Sequence, residues 1–295
     1  MAKAIIFGVG GQTGHYLAQL LRDDGVTVIG AGRQTGDVRV DVADFSAVRA
    51  LVDEHRPDFL FHLAAKSTTR HDALFENHAT IAGGTLHVLE AARMYVPEAR
   101  VFITGSGVQF INRGLPIHED TPFDPTSPYA VSRIASVYAA RYYQSLKIRT
   151  FVGYLFHHES PLRSARHVSQ MVASAVAAIA AGTRNSIDIG DLAVAKEWTF
   201  AGDTAAAIYA LVKQDTVHEA VIGSGIALTI EEWVSACFAC IGRDWRSYVR
   251  TIPGFRAEYP RLVSDPQRLM KLGWRPRVSF EQLAEMMVRA ATKPR

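Results

Sequence analysis

Tyr129 and Arg133 have the types and the spacing that acid–base chemistry requires. They open a long helical pattern, and a separation of four residues places both side chains on one helix face. A tyrosine that gives or takes a proton near neutral pH needs its phenolate stabilised, and a fixed cation does this. Ser106 follows a predicted strand, 101–104, whose carboxyl end is where ligands bind in a parallel sheet. We therefore predict Ser106, Tyr129 and Arg133 as catalytic residues; the alternative is an amphipathic helix with Tyr129 half buried and Arg133 at the surface.

A glycine pattern near the start of the chain, G-x-x-G-x-x-G, lies between a predicted strand, 4–7, and a predicted helix, 15–23. Glycines permit a tight turn and a close approach of the backbone, and the helix N-terminus then offers N–H groups to a pyrophosphate. This context predicts a dinucleotide site, with an ordinary glycine-rich turn as the alternative. The expected contacts from this turn are Gly8, Gly11, Gln12, Thr13 and Gly14.

The residues after the second predicted strand, 26–29, indicate which dinucleotide is bound. An NAD site usually has an acidic residue there, which binds the ribose 2′-OH. This chain instead has Gly30-Ala31-Gly32-Arg33, and Arg33 can pair with a 2′-phosphate. We therefore favour NADP(H) over NAD(H), with a solvated loop residue as the alternative for Arg33. Asp41 could accept a hydrogen bond from the adenine amino group, or could cap the helix that begins near residue 44.

Short apolar runs alternate with helical patterns up to about residue 155, which predicts a parallel sheet covered on both faces. The fold class is therefore α/β, a Rossmann-type doubly wound sheet with a smaller C-terminal α/β lobe. We divide the chain into a dinucleotide-binding domain, 1–155, and a mainly substrate-binding lobe, 156–295. One strand near Val221 and Ile222 is expected to return to the main sheet.

Composition excludes several classes of protein. The chain has 295 residues, 48% hydrophobic and 21% charged, with a net charge of +3 and no run of Lys or Arg, so we expect neither disorder nor nucleic-acid binding. The longest stretch of small apolar residues, 171–181, is too short to cross a bilayer, and no signal-peptide pattern is present. We expect a cytoplasmic protein. No metal site is predicted, because His157, His158 and Glu159 are neighbours on an extended segment and alternate between its faces.

Motifs spread over almost the whole chain resemble extended short-chain dehydrogenases/reductases that act on nucleotide sugars. The similarity is strongest to GDP-mannose 4,6-dehydratases and GDP-4-keto-6-deoxyhexose reductases. The matching segments are the glycine turn, His62-Leu63-Ala64-Ala65, Glu119-Asp120-Thr121-Pro122-Phe123, Ser127-Pro128-Tyr129-Ala130, Leu155-Phe156-His157-His158-Glu159-Ser160-Pro161, Ile189-Gly190-Asp191-Leu192, Glu197-Trp198 and Leu272-Gly273-Trp274-x-Pro276.

This resemblance implies an NADP(H) cofactor, a C-terminal lobe that clamps a nucleotide sugar, and a homodimer built on the long helices of the first domain. It adds to the cofactor site Val42, Leu63, Ala64, Ala65, Lys66 and Phe156, beside Tyr129 and Arg133. It implies a substrate site formed by Val108, His157, Arg163, Val168, Lys196, Trp198, Arg256 and Glu258.

Four departures from the family pattern bear on activity. Arg133 occupies the position where the family has lysine. Its guanidinium keeps the positive charge, but the group is planar and places its N–H groups differently from a lysine ammonium. Val108 occupies the position of the glutamate that moves protons during water elimination, and valine cannot transfer a proton. His157 replaces an asparagine, and Lys196-Glu197-Trp198 replaces Arg-Asp-Trp.

Three functions agree with these residues. The sequence favours an NADPH-dependent reductase acting at C4 of a nucleotide-linked 4-keto-6-deoxy sugar, with a GDP-sugar preferred. In that reaction Tyr129 donates the proton, Ser106 binds the carbonyl oxygen and Arg133 holds the cofactor ribose. The second is a 4,6-dehydratase or epimerase that recycles its hydride. The third is a dinucleotide-binding protein without catalytic activity.

Overall fold

The computed structural model describes residues 1–292, which form strands and helices in alternation. The strands are β1 (Lys3–Phe7), β2 (Thr27–Gly32), β3 (Val38–Arg39), β4 (Phe59–His62), β5 (Arg100–Ser106), β6 (Arg149–Leu155), β7 (His158–Glu159), β8 (Ile187–Ile189), β9 (Ala195–Glu197), β10 (Thr199–Phe200), β11 (Glu219–Ile222), β12 (Ala227–Thr229), β13 (Val249–Thr251) and β14 (Arg261–Leu262). The helices are α1 (Gln12–Asp23), α2 (Phe45–His55), α3 (Leu74–Asn77), α4 (Gly84–Tyr95), α5 (Pro128–Ser145), α6 (Val168–Ala180), α7 (Ala201–Val212), α8 (Ile230–Ala239), α9 (Gln267–Lys271) and α10 (Phe280–Ala291).

Seven strands form one parallel sheet in the order β11-β6-β5-β4-β1-β2-β3. The strand order changes direction between β1 and β4: β2 and β3 follow β1 on one side, whereas β4, β5, β6 and β11 lie on the other. The carboxyl ends of β1 and β4 therefore flank a crevice. The strands are buried on both faces; Ala4, Ile5 and Ile6 of β1 have no exposed surface. The predicted fold class is confirmed.

Helices cover both faces of this sheet. Apolar residues of α2, α4 and α5, among them Leu51, Val88 and Val137, pack on one face. Residues of α1 and α7, among them Leu17 and Ile208, pack on the other. α7 and β11 belong to the second half of the sequence yet pack into this layered unit, and the division at residue 155 stays a prediction.

The second lobe has its own apolar core between α6, α8 and α10. Trp198 and Trp233 stack at its centre with ring centroids 4.5 Å apart and planes 4° from parallel. Three small sheets lie on this core, β10-β7, β12-β9-β14 and β13-β8. Their loops bring residues near 157 and 258 against the carboxyl edge of the main sheet.

Several elements extend further than the sequence pattern indicates, among them α1, which begins at Gln12, and β2, which continues to Gly32. Helical structure also precedes α4, because α3 runs through a π-helical segment, His78–Gly83, into α4. β5 continues through Ser106, two residues beyond the predicted strand, because Gly105 and Ser106 still pair with Tyr154 and Leu155 of β6. Ser106 is therefore held by the sheet rather than by a loop.

Candidate active site

Two adjoining clefts lie at the carboxyl edge of the main sheet. The larger has a volume of about 630 Å³ and extends from the glycine turn to the second lobe. The smaller, of about 270 Å³, lies over β1 and β2. Gly8, Gly11, Leu63 and Ala65 line both, so an elongated ligand can occupy the two clefts together.

The glycine turn has the shape that a pyrophosphate requires. Gly8 has φ of +93°, and a Cβ there would lie 2.7 Å from the backbone nitrogen of Ala64. A Cβ on Gly14 would lie 2.4 Å from the carbonyl oxygen of Gly8. Gly11 precedes α1 and has no side chain to cap it, so the first N–H groups of this helix remain open to an anion. These residues fit the dinucleotide expected from the sequence.

Tyr129 and Arg133 project from the first turns of α5 into the larger cleft. Ser127 caps this helix through its hydroxyl, which accepts a hydrogen bond from the N–H of Ala130, and proline follows at the first helical position. Ser106 enters the same cleft from the end of β5. The structure thus brings the three predicted catalytic side chains to one cleft.

Arg133 is buried, with 3% of its surface exposed, so its alternative placement at the protein surface is wrong. Its Nη1 donates to the carbonyl oxygen of Thr104 at 2.7 Å, and its Cζ lies 5.0 Å from the centroid of the Tyr129 ring. Its buried Nε has no hydrogen-bond partner in the described part of the chain. A buried donor without an acceptor is costly, and its presence here fits a polar ligand in this cleft.

His62, at the end of β4, lies beside this cation. It is fully buried, and burial together with the charge of Arg133 lowers its pKa to about 4. Its backbone oxygen accepts a hydrogen bond from the hydroxyl of Thr104 at 2.7 Å. His62 is therefore neutral at physiological pH, and Arg133 is the positive charge at this end of the cleft.

The smaller cleft contains most of the residues predicted for the adenosine end of the cofactor. Those that line it are Arg33, Asp41, Val42, Leu63, Ala64 and Ala65. Lys66 does not line either cleft and instead pairs with Glu76 on α3. Asp41 accepts from the N–H of Ala43, whereas the cap of α2 is Asp44, which accepts from Ser46 and Ala47. Asp41 is thus not needed as the helix cap.

The opposite end of the larger cleft is rich in basic side chains. Arg163 pairs with the buried carboxylate of Glu159 at 3.2 Å, and its Nη2 lies 3.1 Å from Nδ1 of His167. Arg166 lines the same region. Burial, then the charge of Arg163, lowers the pKa of His167 to about 4. Arg163 and Arg166 supply positive charge at this end, which is partly offset by the carboxylates of Glu159, paired with Arg163, and of Glu258, which lines the cleft.

His158 joins the glycine turn to the second lobe. Its Nδ1 lies 2.8 Å from the carbonyl oxygen of Phe156, so this nitrogen carries the hydrogen and Nε2 accepts from the hydroxyl of Thr13 at 2.8 Å. Burial and the charge of Arg163 lower the pKa of His158 to about 4, which agrees with this neutral form. Gln12 donates to the carbonyl oxygen of His158 at 2.9 Å and reinforces the connection.

The predicted substrate residues fall into two groups. Val108, His157, Arg163 and Glu258 line the larger cleft, as does Phe156 of the predicted cofactor site. The structure places four others outside its lining: Val168, Lys196, Trp198 and Arg256. Trp198 is stacked on Trp233 in the second core, and the Nζ of Lys196 lies 4.7 Å from the Trp198 ring centroid. Lys196 is 8% exposed, and burial lowers its pKa.

Tyr259 is a cleft residue that the sequence pattern does not indicate. Its hydroxyl lies 3.0 Å from Nε2 of His157, and both side chains line the larger cleft. Burial, followed by the charge of Lys196, lowers the pKa of His157 well below its usual value. The two residues are separated by 102 positions, and no local pattern connects them.

Among residues 1–292, no group of three or more His, Cys, Asp or Glu side chains is arranged to hold a metal ion. The same residues include no helix with both the length and the apolar character needed to span a bilayer.

A comparison of the sequence with protein-family models matches residues 5–287 to the model described as GDP-mannose 4,6 dehydratase. This match covers nearly the whole chain. The chain belongs to the GDP-mannose 4,6-dehydratase family. The resemblance inferred from the sequence motifs is therefore confirmed at the level of the family, and the enzyme class is that of extended nucleotide-sugar dehydrogenases/reductases.

Individual members of the family are distant in sequence but similar in length. GDP-mannose 4,6 dehydratase 2 of Arabidopsis thaliana is 29% identical over 318 residues, which cover 97% of this chain and 85% of that protein. GDP-mannose 4,6-dehydratase of Vibrio cholerae is 29% identical over 347 residues, covering 97% of this chain and 92% of that protein.

Solved structures share the fold. The structure of RMD from Pseudomonas aeruginosa complexed with NADPH has a TM-score of 0.86 and 21% identity, covering 99% of each chain. The UDP-glucose 4-epimerase of Thermus thermophilus in complex with NAD has a TM-score of 0.85 and 23% identity, covering 98% of each chain. At these identities the likeness concerns the fold alone.

Proposed function

We propose that this protein transfers hydride at C4 of a GDP-linked hexose with NADP(H) that stays bound, in a reaction of the dehydratase or epimerase type. The observation that carries the proposal is that Ser106, Tyr129 and Arg133 line one cleft with the glycine turn. The names of the curated relatives support a GDP-sugar. The basic end of the cleft, with Arg163 and Arg166, suits a diphosphate.

The side chains at the edge of the sheet have separate tasks in this proposal. The phenolate of Tyr129 takes the proton from the C4 hydroxyl when the sugar is oxidised, and the phenol so formed returns it when the ketone is reduced. Ser106 donates a hydrogen bond to the same oxygen. A dinucleotide held by the glycine turn and the N-terminus of α1 would supply the acceptor and donor of the hydride. Arg133, fixed on the carbonyl of Thr104, stabilises the phenolate of Tyr129 and offers its remaining N–H groups to the ribose.

A net ketoreductase, which the sequence pattern favours, is the second candidate. The relatives' names fit better with an enzyme that returns the hydride to the sugar. Val108 supports the reductase, because the chain then has no carboxylate at the position that elimination uses. Among the described residues that line the larger cleft, Glu258 is the only acidic side chain, and it accepts a hydrogen bond from Thr69 at 2.5 Å. An epimerase needs no such acid.

Two incubations separate the candidates. The first supplies GDP-mannose with NADP⁺, and the second supplies GDP-4-keto-6-deoxymannose with NADPH; sugars are identified by mass spectrometry and NMR while nicotinamide absorbance is followed. A 4-keto or C4-inverted product without net change in absorbance is expected. Stoichiometric loss of NADPH in the second incubation would assign the reductase. NADP(H) binding without turnover of any GDP-sugar would contradict both and favour a protein without catalytic activity.

NADP(H) is proposed over NAD(H) because Arg33 lines the adenosine cleft and the tip of β2 carries no acidic residue. A homodimer through α4 and α5 is proposed as well. Its support is a set of exposed apolar side chains on these helices, Leu86, Met94, Val131, Tyr138 and Tyr142. A cytoplasmic location stays a prediction.

A further inference from the structure

Glu76, on α3, holds the two cations at the adenosine end of the cofactor site. Its Oε1 lies 3.1 Å from Nη2 of Arg33, and its Oε2 lies 3.2 Å from Nζ of Lys66. Both pairs are partly exposed, and the two cations lower the pKa of the Glu76 carboxyl. One ionised carboxylate therefore already occupies the groups that a 2′-phosphate would contact.

Among these three side chains, Glu76 and Lys66 do not line the smaller cleft but lie next to residues that do. Arg33 lines it, Ala65 lines it immediately before Lys66, and Thr80 lines it one helical turn after Glu76. The backbone that carries Glu76 is fixed, because the next residue, Asn77, is fully buried and its Nδ2 donates to the carbonyl oxygen of Thr68 at 3.0 Å. The carboxylate therefore separates from the two cations by a change of side-chain conformation, of Glu76 itself or of the half-exposed Arg33 and Lys66.

We propose that Glu76 is a specificity-determining residue that weakens the preference of this site for NADP(H) over NAD(H). The inference rests on the proposed dinucleotide site. A 2′-phosphate carries between one and two negative charges near neutral pH, and it must displace Glu76 from Arg33 and Lys66 or bind beside it. A 2′-hydroxyl carries no charge and meets no such competition. Glu76, on a helix more than forty positions later in the chain, thus places an acidic group against the cation that follows β2.

The proposal predicts that Glu76→Gln changes the affinity for NADPH and leaves the affinity for NADH nearly unchanged. This change keeps the shape of the side chain and removes its charge. We expect NADPH to bind about fivefold more tightly at low salt, the size expected when one unit charge near a phosphate is removed in a largely solvated site. NADH affinity is expected to stay within about twofold, and the NADPH effect to shrink as salt screens the charges.

The experiment measures binding rather than turnover. NADPH and NADH are titrated into the full chain by nicotinamide fluorescence, for wild type, Glu76→Gln and the matched control Asp53→Asn. Asp53 pairs with Arg56 at the end of α2, and neither residue lines a cleft, so this control removes one surface charge elsewhere. Thermal melting of each variant checks that it is folded. In an Arg33→Met background the gain from Glu76→Gln should become smaller, because one of the two cations is absent.

Unchanged or weaker NADPH binding by Glu76→Gln would overturn the proposal, as would an equal change for both cofactors. Equal gains in the Asp53→Asn control would assign the effect to net charge and also overturn it. Failure of wild type and Glu76→Gln to bind either cofactor would contradict both this inference and the proposed function. Binding with the expected selectivity but without turnover of any GDP-sugar would contradict the proposed function alone.

Discussion

The two ends of the active-site cleft are built from different parts of the chain. The cofactor end consists largely of backbone: the turn 8–14 and the N-terminus of α1 form it. The substrate end consists of side chains, with His157, Arg163 and Glu258 converging from separate segments. A binding site formed by backbone groups depends on one chain conformation, whereas the binding properties of a site formed by side chains can be altered by a single substitution. In this chain the cofactor end keeps the family's glycine pattern, the departure at Arg133 lies where the two ends meet, and the departure at His157 belongs to the substrate end.

The catalytic tyrosine lies where the two ends meet, so its removal should have the largest effect. Tyr129→Phe removes the hydroxyl that moves the proton and leaves the ring beside Arg133. We expect kcat to fall about a thousandfold, with NADPH affinity unchanged. Steady-state kinetics on the substrate that the incubations identify, with fluorescence titration of NADPH, tests both parts. Turnover close to the wild-type rate would exclude Tyr129 as the proton donor.

Alanine substitutions at two glycines of the same turn should differ in their effect on stability if the cofactor end depends on the shape of the backbone. Gly8→Ala places a Cβ 2.7 Å from a backbone nitrogen at φ of +93°, and should destabilise the protein by about 2 kcal/mol or more. Gly11 is the matched control, because its φ is −78° and the nearest atom to its Cβ is 3.4 Å away. Gly11→Ala should stay within about 1 kcal/mol of wild type.

Chemical denaturation of both variants in the absence of cofactor measures this difference. Equal losses of unfolding free energy would show that close packing of the turn does not distinguish the two positions.

The smallest expected effect concerns pH and the histidines of the substrate end. His158 and His167 have pKa values lowered to about 4 by burial and Arg163, while an imidazole in the unfolded chain titrates near 6.5. Above the unfolded pKa both states are neutral and stability is unaffected. As pH falls from about 6.5 towards about 4 the unfolded chain binds protons first, so the stability contributed by the neutral imidazoles is progressively lost.

Melting temperatures between about pH 7 and about pH 4.5 test this expectation. His167→Asn should make the decline shallower, since it removes one half-buried imidazole with a lowered pKa, whereas His71→Asn, at an exposed position, should leave it unchanged. An equally steep decline in His167→Asn would show that carboxylates rather than this cluster determine the acid sensitivity.

The cofactor end was largely predictable because its signals are local. A strand, three glycines at fixed spacing and a helix are consecutive in the chain, and Arg33 follows the next strand directly. The glycine turn and Arg33 were found in this way and line the clefts that the structure shows. The family was also accessible, because its motifs recur in order from the glycine turn to Trp274.

The substrate end was less accessible because its contacts join distant residues. The pairing of Tyr259 with His157 and of Thr13 with His158 spans more than a hundred positions, and nothing in either local pattern points to the other. Trp198 was predicted as a substrate residue because it belongs to a family motif. The structure places it in the second core, stacked on Trp233, rather than along the cleft.

The sequence alone determined the α/β fold, the family and the positions of the glycine turn, because hydrophobic periodicity and glycine spacing act through the neighbouring backbone. Only the tertiary structure decided that Arg133 is buried on the carbonyl of Thr104 beside neutral His62. It alone placed Glu76 between Arg33 and Lys66. Charges act through space rather than along the chain, so their partners depend on how separate helices and strands pack.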